Sequence, residues 1–272
     1  MVNRRIFALA AGLAVVTVPT VPAYAAKCGN NAAGFAHWVA VAKREAVGAG
    51  FSKRTIAATL GNVRYATRTI SLDRNQRSFR YSLKTFMAKR GANTIVSKGR
   101  RLKKKNARLF ARIEKQFGVS PGVLIAIWGM ETAFGRFQGN QDSISSLATL
   151  AYDCRRSAFF QKELYAAMTI IQRGEMSRKQ MRGAGHGEIG QTQFLPSNYV
   201  KYAVDYDGNG RRDLIRSATD ALASTANFLR AHGWKRGRGY QPGQGNFRAI
   251  QGWNAAGVYQ KAIAIIAANI DK

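Results

Sequence analysis

The chain has 272 residues, with 43 Lys and Arg against 14 Asp and Glu, a formal charge of +29. A 46% hydrophobic and 10% aromatic content supports a packed core and excludes a disordered basic tail. Two cysteines and three histidines exclude a cysteine-rich scaffold and a four-cysteine zinc site, and argue against a histidine-built metal centre. The charge points to a polyanionic partner: nucleic acid, an anionic membrane or an anionic wall polymer.

The first 25 residues narrow that choice. Arg4 and Arg5 form a positive start, Ile6 to Val18 is an uncharged apolar run too short to span a bilayer, and Ala23-Tyr24-Ala25 is a small-x-small cleavage site. This reads as a secretory signal peptide over 1–25, of the general export type; Asn3-Arg4-Arg5 also has a weak twin-arginine character. No later stretch is long and apolar enough to span a membrane. Export makes nucleic acid an unexpected partner and the periplasm the expected compartment. It also permits a disulfide between Cys28 and Cys154, with two free buried thiols as the alternative.

The remaining chain reads as mostly helical. Phe35, Trp38, Val39 and Ala42 share one helical face within 34–48, and 52–60 forms a second short helix with Ser52 as its cap. Phe79, Leu83, Phe86 and Met87 mark another face. The basic run 98–105 leads into Leu109, Phe110, Ile113 and Phe117; it is either a polymer-binding strip or a solvated helix face. Ser120 followed by Pro121 starts the best-marked helix, which is apolar all round through Met130 and therefore buried. Further helices are expected at 158–172, 219–232 and 259–270, with glycine-rich loops at 183–193 and 235–246. No strand alternation, βαβ rhythm or internal repeat is present. One unit over 26–272 is expected, with a helical N-terminal part to about residue 116 and a core from about 117 onward.

Glu131 is the chemical outlier. It ends an apolar helix, with Ile127 and Trp128 on its face, so its charged form is disfavoured and its pKa should rise into the range of a general acid. Pairing with an arginine such as Arg136 is the competing expectation. The segment 187–199 presents Glu188, Gln191, Gln193, Ser197, Asn198 and Tyr199, groups suited to sugar hydroxyls and N-acetyl groups. Asp205, Asp207, Asn209 and Asp213 fall at positions 1, 3, 5 and 9 of an EF-hand loop. Gly210 stands at position 6 and Arg211 at position 7, where a backbone carbonyl would serve. Arg216 stands where a glutamate should close the loop, and Asp220 is a later candidate ligand. A structural calcium ion and an Asx-rich turn are both open readings.

These segments together resemble the lytic murein transglycosylases of the membrane-bound lytic transglycosylase B type. The resemblance is carried by 118–136, by 147–156 with Asp153-Cys154-Arg155-Arg156, by 190–197, 202–210 and 232–234, and by Trp253-Asn254 with Tyr259. It is strongest over about 117–235. It implies a mainly α fold with a lysozyme-like catalytic core. It also implies cleavage of the MurNAc-β-1,4-GlcNAc bond of peptidoglycan without water, no cofactor for the chemistry, and a monomer acting on glycan strands. By the same resemblance Glu131 is the sole catalytic acid and base, Arg155 and Arg156 meet the stem peptide, and Gln193, Asn254 and Tyr259 lie in the cleft. The chain departs from the family over 183–190: Ala184 replaces a serine that contacts the glutamate, and His186 and Glu188 are additional ionisable groups. Trp253 replaces the commoner tyrosine. A lysozyme-like hydrolase and a non-catalytic wall-binding protein are the alternatives.

Overall fold

The computed structural model describes residues 27–75 and 80–272. The signal segment 1–25 and Phe79 lie outside the described residues. The N-terminal part contains α1 (Phe35–Gly48), α2 (Lys53–Leu60), α3 (Thr67–Arg74) and α4 (Leu83–Lys89). Ser52 caps α2 as expected, its hydroxyl accepting the Thr55 N–H. Then come α5 (Ala92–Lys105) and α6 (Ala107–Phe117), joined through Asn106. The basic run is therefore helical. Ala92, Ile95 and Gly99 face inward while Arg101, Lys104 and Lys105 are exposed.

At the centre lies α7 (Pro121–Thr132), buried from Gly122 to Met130. It packs against α5 and against the C-terminal α13 (Gly257–Asp271). Val123, Leu124, Ile125 and Ile127 have no exposed surface, and burying each contributes about 1.5–3 kcal/mol. A side chain at Gly122 would collide with the Ala267 carbonyl and Asp271, so glycine there permits the close contact with α13. Ser120 has N-cap backbone geometry but makes no capping bond. Asp271 serves instead, accepting the Gly122 N–H at 2.9 Å, a favourable place for negative charge. Lys103 and the Tyr240 hydroxyl hold the same carboxylate.

Around this centre lie α8 (Ser143–Tyr152), α9 (Ser157–Gln172), α10 (Pro196–Tyr202), α11 (Ala218–Ala231) and α12 (Phe247–Trp253). Two two-residue strands, β1 (Gln141–Asp142) and β2 (Arg182–Gly183), pair antiparallel and anchor the glycine-rich loop that follows. The buried cluster runs continuously from Phe35 to Ile270. Among the described residues, no helix is long and apolar enough to cross a membrane.

Cys28 and Cys154 form a disulfide across 126 positions. Gly29 bridges Asp153 beside it, its N–H bonding the Tyr152 carbonyl at 2.9 Å. Closing so long a loop restricts the unfolded chain, which sets an expected stabilisation of roughly 2–5 kcal/mol. Urea unfolding with and without reductant should differ by that amount. A non-reducing peptide map should recover both cysteines in one linked peptide; recovery of both as free alkylated thiols would disprove the bridge.

Candidate functional site

Glu131 is the penultimate residue of α7, and the chain turns sharply after it. Ala133, Phe134 and Gly135 all have positive φ (50°, 66° and 80°), costly for the two non-glycine residues. The turn is locked from the loop opposite. The Trp128 indole donates to the Gln191 side chain at 3.0 Å, Thr132 Oγ1 donates to the Gln191 carbonyl, and the Gly135 N–H donates to Thr132 Oγ1 at 2.8 Å. The end of α7 is thereby fixed against the 183–194 loop. That loop depends on Gly187, whose φ of 91° and closeness to Leu147 leave no room for a side chain.

Two adjoining cavities meet at Glu131. The larger, about 770 Å³, is lined by Leu72, Arg90, Arg156, Phe159, His186 and Glu188 on one side, and by Trp253, Asn254 and Tyr259 on the other. The smaller, about 360 Å³, shares Glu131, Glu188, Arg90, Trp253 and Asn254 and adds Ala184, Gln193 and Asn198. Trp253 Nε1 donates to Glu131 Oε1 at 3.1 Å. The Tyr259 hydroxyl is buried, lacks a well-formed hydrogen bond, and faces the same carboxyl. Burial pushes the Glu131 carboxyl up to about 7, against the hydrogen bonding of Tyr259 and Trp253; nearby Glu188 adds to the rise and Arg90 opposes it. Arg136 does not pair with it: its guanidinium lies over Phe137 at 5.2 Å.

The candidate residues thus divide. Arg156, Glu188, Gln193, Trp253, Asn254 and Tyr259 gather around Glu131. Arg155 does not line either cavity; it bonds buried Asp73, which Arg156 also holds. Ser197 and Tyr199 are corrected from cleft to framework. Ser197 donates to Glu163 Oε1 at 2.6 Å and ties α10 to α9. Tyr199 is fully buried, its hydroxyl on the Arg212 carbonyl. Both follow the proline that starts α10, so helical geometry turns them inward. Asn198, one of the sugar-suited groups of 187–199, lines the smaller cavity, and Arg90 joins the site without having been singled out. Arg90 sits where α4 ends and lies 5.8 Å from the Tyr259 ring, a contact across far-separated segments that no local pattern signals.

The 205–220 segment gathers carboxylate oxygens of Asp205, Asp207 and Asp220 within 4.8 Å of one another. Asp205 accepts the Gly208, Asn209 and Gly210 N–H groups. Asp220, fully buried, accepts those of Tyr206, Asp207 and Asp213. Asn209 Oδ1 accepts the Arg211 N–H, and Asp213 turns away to Arg216 at 2.7 Å. The donor set that converges is therefore Asp205, Asp207 and Asp220. Asp213 is corrected from ligand to ion-pair partner, because Arg216 stands where a closing glutamate would leave it free.

The chain is similar in sequence and fold to known proteins. The membrane-bound lytic murein transglycosylase B of Escherichia coli (strain K12) is 36% identical over 122 residues, which cover 44% of this chain and 34% of that protein. The chain thus spans about a third of the length of that curated relative. SltB3 of Pseudomonas aeruginosa, solved in complex with NAG-anhNAM-pentapeptide, superposes with a TM-score of 0.80 at 28% identity, covering 87% of this chain and 79% of that one. The Escherichia coli lytic transglycosylase Slt35, solved in complex with calcium, shares the fold at a TM-score of 0.72 and 22% identity, covering 94% and 98%. The mainly helical, lysozyme-like fold class is thus found. Residues 34–243 match the Transglycosylase SLT domain, and the chain belongs to that family.

Proposed function

We propose that the protein is a peptidoglycan lytic transglycosylase and that Glu131 is its acid and base. The observation that supports this reading most is a partly buried carboxyl at the meeting point of the cleft, held up to about 7. Near neutral pH such a group divides between its two forms, so it can give a proton and take one back. The proton passes from Glu131 to the glycosidic oxygen as the bond from that oxygen to the MurNAc C1 breaks. The MurNAc C6 hydroxyl then closes on C1 and returns its proton to the Glu131 carboxylate. One C–O bond breaks, one forms, no water is consumed and the enzyme ends as it began. Tyr259, Trp253 and Arg90 surround the carboxyl and stabilise the form carrying negative charge between the two steps. A cofactor has no part in these transfers.

The second reading is hydrolysis, favoured by Glu188, which places another carboxylate in the cleft. Muropeptides released from sacculi separate the two by mass, because anhydro ends are one water lighter than reducing ends. We expect anhydro ends; reducing ends alone would overturn the transglycosylase reading. Glu131→Gln should lose essentially all cleavage while remaining folded. Wild-type activity should fall as pH rises through about 7, where Glu131 loses the proton it must donate.

The same partly desolvated carboxyl gives a stability prediction. Its folded pKa lies above its unfolded one, so the folded state binds the extra proton and stability is lost as pH rises between about 4.5 and about 7. Glu131→Gln should be more stable than wild type at pH 8, by up to about 3 kcal/mol, with the gap closing below pH ~5. Thermal unfolding at both pH values measures this.

Export by a cleavable signal over 1–25 and residence in the periplasm fit the Cys28–Cys154 bridge. Asp205, Asp207 and Asp220 fit a hard cation such as calcium, being oxygen donors already converging. Added calcium should raise the melting temperature of the wild type and not of Asp207→Asn. Equal shifts in both would remove the site.

A further inference from the structure

The glycine-rich loop 183–190 carries two ionisable side chains that the chemistry above does not use, and they are linked. The Glu188 carboxylate folds back on its own loop, Oε2 accepting the His186 N–H at 3.0 Å. Its other oxygen lies 3.5 Å from His186 Nδ1. On the far side, His186 Nε2 stands 3.8 Å from Asp73 Oδ1. Asp73, at the end of α3, is nearly fully buried and held by Arg155 and Arg156. The imidazole is thus bracketed by a carboxylate at each nitrogen, an arrangement only the doubly protonated ring can satisfy from both sides. Burial works against that charge, but Glu188 and Asp73 outweigh it, with Arg156 opposing them, and hold the ring's pKa above its ordinary value. His186 therefore keeps its positive charge to higher pH than a free imidazole does.

Glu188 is also the carboxylate that shares both cavities with Glu131. We propose that Glu188 is a positioning residue for Glu131: the cleft carboxylate adds to burial in keeping the proton on Glu131, and His186, pinned to Asp73, sets how much of that negative charge Glu131 experiences. Among the described residues, the groups that act on these members include Arg90, Trp253 and Tyr259 around Glu131, and Asp73 with Arg156 around His186. Resting on the acid role of Glu131, the consequence is directional. A bare Glu188 favours protonated Glu131, and a Glu188 neutralised by an imidazolium favours it less. As pH rises and His186 discharges, Glu188 acts more strongly. The loss of active acid is thereby delayed, and the working range extends to higher pH.

The test uses the full-length protein and sacculi, measuring turnover from pH 5 to 9. In Glu188→Gln the alkaline limb should move down by about half a pH unit, which is about threefold less activity beyond the midpoint. In His186→Gln it should move up by a similar amount, because Glu188 is then uncompensated. His186→Lys keeps a permanent cation and should bring the limb back to or below the wild-type position. The combination of Glu188→Gln with His186→Gln should match Glu188→Gln alone. Unmoved midpoints, or shifts of the same sign in both His186 variants, would overturn the proposal, since a merely structural loop defect lowers activity at all pH values together. Ionisation of Glu131 can be read without turnover, as the pH-dependent part of tryptophan fluorescence that is absent in Glu131→Gln, because Trp253 bonds the carboxyl. Shifted fluorescence midpoints with no lytic products would keep the electrostatic link and reject the transglycosylase reading. Fixed fluorescence midpoints with normal lytic products would do the reverse.

Discussion

An ionised carboxylate placed against apolar surface loses hydration that the protein must replace, and where it is incompletely replaced the group holds its proton. Glu131 is in that position because α7 is buried throughout and Glu131 is carried on its last turn. Much of the fold can be read as holding that turn. Helices α5 and α13 clasp α7 along its length, Asp271 caps its start, and Gln191 fastens its end through Trp128 and Thr132. The left-handed backbone at Ala133 and Phe134 is unfavourable in isolation and persists because both sides of it are bonded. Desolvation, the strained turn and the two-sided cleft are thus aspects of one constraint, the need to expose one carboxyl at the end of a helix that is otherwise dry.

The balance around that carboxyl is fine-grained. The family resemblance places a serine at position 184, where this chain has an alanine lining the smaller cavity. The Trp253 indole supplies a donor to this carboxyl, bonding Glu131 Oε1. An indole N–H donates and cannot accept, so it favours the carboxylate without competing for its proton. Packed against Phe194 and Phe228, the Trp253 ring has little freedom to leave that bond.

What could be read from the sequence was what local chemistry determines. The apolar run 123–130 announced a buried helix started by Ser120 and Pro121, Ser52 announced the start of α2, and Glu131 stood out as the anomaly. The serine-rich start of α8 and the short α10 and α12 were not legible, because their helical state comes from packing: every residue of α8 is buried although four of its ten are Ser or Thr. The 191–199 segment showed the opposite error. Its hydroxyls and amides looked uniformly suited to a sugar, yet the backbone turn at Gln193 and the helix from Pro196 send Gln193 and Asn198 to the cleft and Ser197 and Tyr199 inward. Composition specified the chemistry of the loop, and only the fold specified which members faced it. Arg90 was illegible for the simplest reason, since its partners lie at 131 and 259.

With 43 basic residues and 14 acidic ones, acids are the scarce resource of this chain, and where they sit is informative. Asp73 gathers Arg155 and Arg156, Asp142 holds Arg178, Asp153 holds Arg74, Glu175 holds Arg212 and Asp271 holds Lys103. Asp205, Asp207 and Asp220 organise one loop. Each of these carboxylates joins segments distant in sequence or fixes a turn, and most are at least half-buried, where an ion pair is less screened than at the surface. Cations exceed them threefold, so most arginines and lysines have no acid to meet and remain on the outside. The positive surface is thus the remainder left after a small set of carboxylates has been committed to structure. Against that background two acids in one cleft, Glu131 and Glu188, are an exception. They are near enough for each to feel the other's charge, in a protein with abundant cations to separate them. Among the described residues, Arg90 opposes the rise at Glu131, and His186 faces Glu188 from the same loop. Elsewhere most carboxylates are committed to a cation or to backbone and hydroxyl donors. In the cleft the pairing is left incomplete or made dependent on pH, which is the condition under which a carboxyl can still exchange its proton.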